Sequence, residues 1–84
     1  MEILVVFESR TESMKFLNLF TDSGFFAQGV NNPREITKNC GMSVKINKKD
    51  LQIAYNLLNQ YPFKHFFGMF IEENYNNLKH FKRI

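Results

Sequence analysis

An α+β fold is predicted by three features of this 84-residue chain. Two short apolar runs, at 3–7 and 63–71, have the β-branched and aromatic make-up of buried strands. A strict alternation of Met42, Val44 and Ile46 with Ser43 and Lys45 marks a half-buried strand. Between them, two stretches repeat apolar residues at helical spacing.

Taken in order, residues 1–7 form a first strand through Ile3, Leu4, Val5, Val6 and Phe7, apolar at both parities and therefore covered on both faces. Ser9 or Thr11 offers a helix cap, and Met14, Leu17 and Phe20, joined by Phe16 and Leu19, carry the helix to Asp22. Gly24 is the stop signal. Residues 25–30 make a second strand, and a polar loop with Pro33 runs over 31–39, closed by Cys40 and Gly41. After the alternating third strand, Asn47 and Asp50 resemble a capping arrangement. Leu51, Ala54, Tyr55 and Leu58 then fall on one helical face. Pro62 follows that helix, and residues 63–71 form a phenylalanine-rich fourth strand, with Phe63, Phe67, Met69 and Ile71 on one side and Phe66 and Phe70 on the other.

The order β-α-β-β-α-β is the ferredoxin-like arrangement, a four-stranded antiparallel sheet with two helices on one face. Residues 1–71 form that single domain, and 72–84 are a polar, then basic, C-terminal tail in which Tyr75, Leu78 and Phe81, spaced at three, suggest a short docked helix. Two helices on one face leave the other face of the sheet open. The tail, a second copy or a partner protein should cover it, with Phe66 and Phe70 as interface candidates.

Composition narrows the function classes. The net charge is +3, but Lys79, Lys82 and Arg83 lie in the last six positions, and residues 1–78 carry eight basic and eight acidic groups. The body therefore has no electrostatic bias towards nucleic acid, and binding of RNA or another anion is left to the basic tail. No run approaches the length of a membrane span and the start lacks a signal-peptide pattern, so a cytoplasmic protein with no membrane partner is expected. One cysteine and two distant histidines supply no disulfide, iron-sulfur centre or zinc site, and no resident cofactor is expected. Phosphate-loop and dinucleotide motifs are absent, and Glu72 and Glu73 in a polar tail make a poor acid/base pair. The aromatic run 64–70 resembles an RNA-stacking signature, but the third strand, where such rings belong, has none.

The least generic segment is 33–41, which joins Pro33, Arg34, Thr37, Lys38, Cys40 and Gly41 between two strands. A Pro-Arg pair, a Ser or Thr a few residues on and then Cys-Gly resembles the selenium/sulfur carrier protein-like family, small bacterial domains of unknown function. The similarity extends to the opening strand and helix, 3–24, and to the second helix around Asp50 and Leu51, and covers residues 1–71. The resemblance implies a carrier rather than a free-standing enzyme. Cys40 would hold sulfur or selenium transiently as a persulfide or selenosulfide, taken from a cysteine desulfurase or a selenium donor and passed to an acceptor enzyme.

Elementary thiol chemistry agrees with that implication. Only the thiolate attacks a sulfur donor, and Arg34 and Lys38 are the cations available to stabilise it. Pro33 stiffens the loop, Thr37 suits a turn, and Gly41 lets a partner's backbone approach. The plainer alternatives are a buried, inert Cys40 and an Arg34 paired with Glu35. The competing functional reading is a non-catalytic homodimeric interaction or regulatory module that uses the aromatic sheet face.

Overall fold

The computed structural model describes residues 2–38 and 41–84. Strand β1 (Glu2–Phe7) leads into helix α1 (Arg10–Asp22), then β2 (Ala27–Asn31) and β3 (Met42–Asn47). A single 3₁₀ turn (Lys48–Asp50) precedes α2 (Leu51–Gln60), and β4 (Phe66–Tyr75) and β5 (Leu78–Arg83) complete the chain. All strand pairs are antiparallel, in the order β2-β3-β1-β4-β5. The two βαβ units interleave: β1-α1-β2 leaves a gap filled by β3, and β3-α2-β4 leaves a gap filled by β1. β1 is thereby the central strand, and every one of its residues from Ile3 to Phe7 is buried.

Local chemistry accounts for α1. Ser9 has extended backbone and its hydroxyl accepts the Glu12 N–H at 3.3 Å, which satisfies one of the free amides of the first turn. Gly24 takes φ +90°, a conformation open to glycine, and ends the helix as expected. The buried face is Ser13, Phe16 and Phe20, however, and Met14 is largely exposed. α2 also departs from expectation. Neither Asn47 nor Asp50 makes a side-chain cap, because the 3₁₀ turn carries the chain into the helix instead. Ala54 and Leu57 face the core, while Tyr55, expected on that face, is exposed.

Both helices lie on one face of the sheet. Phe16, Phe20, Ala54 and Leu57 pack onto Ile3, Val5, Phe7, Val44, Ile46 and Met69. Burying each large side chain contributes about 1.5–3 kcal/mol, so this layer supplies most of the stability. Rings of Phe7, Phe16 and Phe63 meet at 5.2–5.8 Å in tilted and edge-on geometry.

Three expectations are corrected here. The sheet has five strands rather than four. The supposed tail, 72–84, is the end of β4 followed by β5, and it contains no helix; Asn76 and Asn77 both take positive φ, 50° and 64°, which suits a two-residue hairpin turn and forbids helix continuation. Finally, the pairing register shifts between Val6↔Gly68 and Phe7↔Phe66, so that β4 carries one extra residue there. That bulge reverses the expected sides: Phe66 turns to the ring of Phe7 at 5.7 Å, and Phe67 stacks on Phe70 at 6.2 Å on the opposite face.

The second face is covered from within the chain. Leu4, Val6 and Phe70 are buried there beneath Val30, Ile36, Phe67 and Phe81. The Arg83 guanidinium lies over the rings of Phe67 and Phe70, 5.1 and 5.0 Å from their centroids, and donates to the Phe67 carbonyl at 3.2 Å. No helix of the described residues is long and apolar enough to cross a membrane.

Candidate functional site

The segment singled out in the sequence is the connection between β2 and β3. The last strand pair is Asn31↔Met42, and the connection is then closed by the Asn32 N–H donating to the Gly41 carbonyl at 3.1 Å. Inside it, the Pro33 carbonyl accepts from the Ile36 N–H at 3.0 Å and the Thr37 N–H at 3.1 Å, forming a compact turn over Arg34, Glu35 and Ile36. Proline's fixed φ suits the start of such a turn. Ile36 then anchors the loop by packing against Leu4, Val6 and Phe70. Cys40, the expected attachment residue, lies outside the described residues.

The two expected cations are placed for contact with solvent or a partner. Arg34 and Lys38 are exposed, and among the described residues neither has an ion-pair partner. Arg34 and Glu35 do not pair. Among the described residues Lys45 bridges Glu2 at 3.6 Å and Glu72 at 3.7 Å on the second face, away from the loop cations. A groove of about 330 Å³ runs beside the loop, floored by Leu4, Val30 and Phe81 and edged by Pro33, Glu35 and Lys79. Among the described residues no cluster of side chains could hold a metal ion.

Beneath the loop sits a buried polar network that the sequence reading missed. The Asn32 carboxamide spans two strands: its Nδ2 donates to the Phe7 carbonyl at 3.3 Å, and its Oδ1 accepts from the fully buried Ser43 hydroxyl. Ser13 of α1, also fully buried, brings its hydroxyl within reach of the Ser9 carbonyl at 3.1 Å and of the Met42 carbonyl. Among the described residues no buried side-chain polar atom lacks a partner, as low-dielectric surroundings demand. Gly41 fits into this network with no room to spare. A Cβ there would lie 2.6 Å from Asn32 Nδ2 and 3.2 Å from the Phe7 carbonyl. Close approach to Asn32 and β1 is thus a reason for glycine at this position. Asn32 directly before Pro33 was the available signal, since a residue in that place is held extended and its short amide can reach neighbouring backbone.

A second brace stands at the same end of the sheet. Glu12 accepts from the backbone amides of Lys64 at 3.0 Å and His65 at 2.8 Å, and from the His65 ring, tying α1 to the chain entering β4. Burial pushes its carboxyl up, but the donors at His65 and Lys64 outweigh burial and hold it below the usual carboxylate range.

The other expected site residues are not brought together. Phe66 is 38% exposed on the helix side and Phe70 is 7% exposed on the opposite face, so they form no common patch. Thr37 holds the turn through its backbone N–H.

No curated protein and no solved structure matches the chain. A family model described as putative Se/S carrier protein-like matches residues 2–66, over three quarters of the chain. That span runs from β1 to the first residue of β4. It includes the whole connection 32–41 and its supporting network, and it excludes the β4–β5 hairpin. The chain belongs to the putative Se/S carrier protein-like family.

Proposed function

We propose that this protein is a sulfur or selenium carrier that holds the atom on Cys40 as a persulfide or selenosulfide. In the sulfur case, the Cys40 thiolate attacks the outer sulfur of a cysteine persulfide on a desulfurase. A new S–S bond forms on Cys40, the donor's S–S bond breaks, and the donor cysteine leaves as its thiolate. One sulfane sulfur moves, and no external oxidant or reductant is consumed. The acceptor enzyme then takes the atom by the same exchange.

The observation that carries this reading is the pair Arg34 and Lys38. Both stand exposed, without an ion-pair partner among the described residues, Arg34 within the turn held by the Pro33 carbonyl and by Ile36, and Lys38 just beyond it. Cations free of internal partners can favour a thiolate and attract an anionic donor site. Family membership supports the assignment. In this reading β1 to β4 with the two helices form a ferredoxin-like core, to which β5 is added. The rival reading, dimerisation through Phe66 and Phe70, draws no support from residues that sit on opposite faces, one of them already buried.

The test is intact mass under non-reducing conditions after incubation with a cysteine desulfurase and cysteine or selenocysteine. Wild type is expected to gain one chalcogen atom that reductant removes, and Cys40→Ser to gain none while melting at nearly the same temperature. Equal gain, or none in either, would sink the carrier.

A further inference from the structure

We infer that the outer edge of β5 is a docking site for an acidic, extended segment of another protein, which joins the sheet as a further strand antiparallel to β5. The carrier reading is not needed for this, since no step involves the thiol and β5 lies outside the residues that the family model matches.

Three observations carry it. The two edges of the sheet are of nearly equal length and opposite character. β2 has no charged side chain, whereas β5 bears Lys79, Lys82 and Arg83, with His80 among them. Lysine on an edge can serve to prevent pairing, but a sheet guarded in that way would not leave β2 bare. The charge on β5 is also left without internal partners. The β4 carboxylates opposite it turn elsewhere, Glu72 to Lys45 at 3.7 Å and Glu73 to the Tyr75 hydroxyl at 3.3 Å. Among the described residues neither Lys79 nor Lys82 makes an ion pair. Finally, the phase of the ladder aims free backbone groups outwards beside these cations. The Ile84 N–H donates to the Met69 carbonyl at 3.0 Å, so Leu78, His80 and Lys82 bond inwards to β4, while Lys79, Phe81 and Arg83 present N–H and C=O to the open edge.

The side chains of Lys79 and Arg83 flank the half-buried Phe81 on the second face, and Lys82 points to the other face. An added antiparallel strand that reads Glu-Glu-Val-Thr-Glu would set acids opposite Arg83, Lys82 and Lys79 and valine opposite Phe81, while its main chain bonds the open edge. RNA fits this edge less well, because bases need open rings to stack on. Phe67 and Phe70 lie beneath the Arg83 guanidinium, and the Tyr75 ring meets His80 at 5.4 Å.

The test titrates the full chain with a capped peptide that carries Glu-Glu-Val-Thr-Glu between threonines, and follows amide exchange by NMR. The Lys79, Phe81 and Arg83 amides are expected to slow several-fold on binding, those of Leu78, His80 and Lys82 to change little, and affinity to fall as salt rises. The double variant Lys79→Ala, Lys82→Ala should bind roughly 2- to 30-fold more weakly, the range of two cross-strand charge pairs. A peptide with lysine in place of glutamate should not bind, nor should one N-methylated at the valine and at the first and last glutamates, which loses the main-chain donors. No protection at millimolar peptide, protection at β2 instead, or equal binding by the double variant or by either control peptide overturns the inference. Oligouridylate that displaces the peptide at lower concentration also overturns it and assigns the cations to nucleic acid. Self-association of the double variant, with no peptide bound by wild type, overturns it in favour of an edge guarded by charge.

Discussion

The β4–β5 hairpin turns through two residues, Asn76 and Asn77, while the β2–β3 hairpin takes ten, 32–41, to make the same reversal in the same sheet. In the short hairpin the backbone does all the work. Positive φ at both asparagines matches the twist of the strands, and nothing outside the hairpin is needed to close it. The long connection costs roughly 1–1.5 kcal/mol more in closure entropy on length alone. It is offset by an internal turn at Pro33, an apolar anchor at Ile36 and a half-buried amide at Asn32. These contacts order the described part of the long connection, and in the carrier reading proposed above they hold the segment that flanks Cys40. The family match draws the same line, since it contains the long hairpin and stops before the short one.

The largest expected effect comes from breaking the long hairpin at its tightest point. Gly41→Val drives a side chain into Asn32 and the Phe7 carbonyl, and should destabilise the protein by about 2–3 kcal/mol in urea denaturation. Combining Gly41→Ala with Asn32→Ala should cost less than the two separate changes together, because the second removes the atom that the first strikes. Additive losses would show that the two residues do not share the space assigned to them.

At the short hairpin, replacing Asn76 and Asn77 by alanine removes the side chains best suited to positive φ and should cost about 1–2 kcal/mol for the pair. The comparison predicts that chalcogen loading at saturating donor is unaffected, with amide exchange faster in β5 and unchanged in β2 and β3. Loss of loading in this variant would mean that the short hairpin is part of the functional surface.

Glycine at 68 sharpens the contrast with Gly41. A Cβ there meets the Arg83 guanidinium at 2.9 Å, the far end of a flexible side chain. Gly68→Ala should therefore cost below about 1 kcal/mol, chiefly through disturbed packing of Arg83 over Phe67 and Phe70. A loss as large as that of Gly41→Val would show Arg83 to be as rigidly held as Asn32.

How far the sequence discloses this arrangement depends on how local the deciding interaction is. Ser9 as a cap, Gly24 as a stop and the alternation at 42–46 act within a few positions and can be read directly. The Pro33, Arg34, Cys40 and Gly41 pattern is equally local and is legible in the sequence in the same way. The supporting network could not be read in that way. Asn32 meets Phe7 across 25 positions and Ser13 meets Met42 across 29, so the partners are set by sheet order alone. The bulge that exchanges the sides of Phe66 and Phe67 likewise arises from pairing with β1 and leaves no local mark. β5 is different, because its signal was present and misread. Tyr75, Leu78 and Phe81 fit a helical spacing, but Asn76 and Asn77 between two strand-like runs are the signature of a two-residue hairpin.

The smallest expected effect tests whether bracing by side chains is a property of the whole loop end of the sheet. The chain between α2 and β4 arrives at that end, and Glu12 holds it through two backbone amides, as Asn32 holds the long connection. Because the donors keep the Glu12 carboxyl below its ordinary value in the folded protein, folding favours the ionised form. The resulting stability is present above the unfolded value, about 4.3, and is lost as pH falls through the folded one. Glu12→Gln should therefore be less stable than wild type at pH 7 by under about 1 kcal/mol, given a brace that is partly open to solvent. The difference between the two should shrink as denaturation is repeated from pH 5 down to pH 3. A difference independent of pH would assign the brace to the shape of the side chain rather than its charge, and would make Glu12 a neutral counterpart of Asn32.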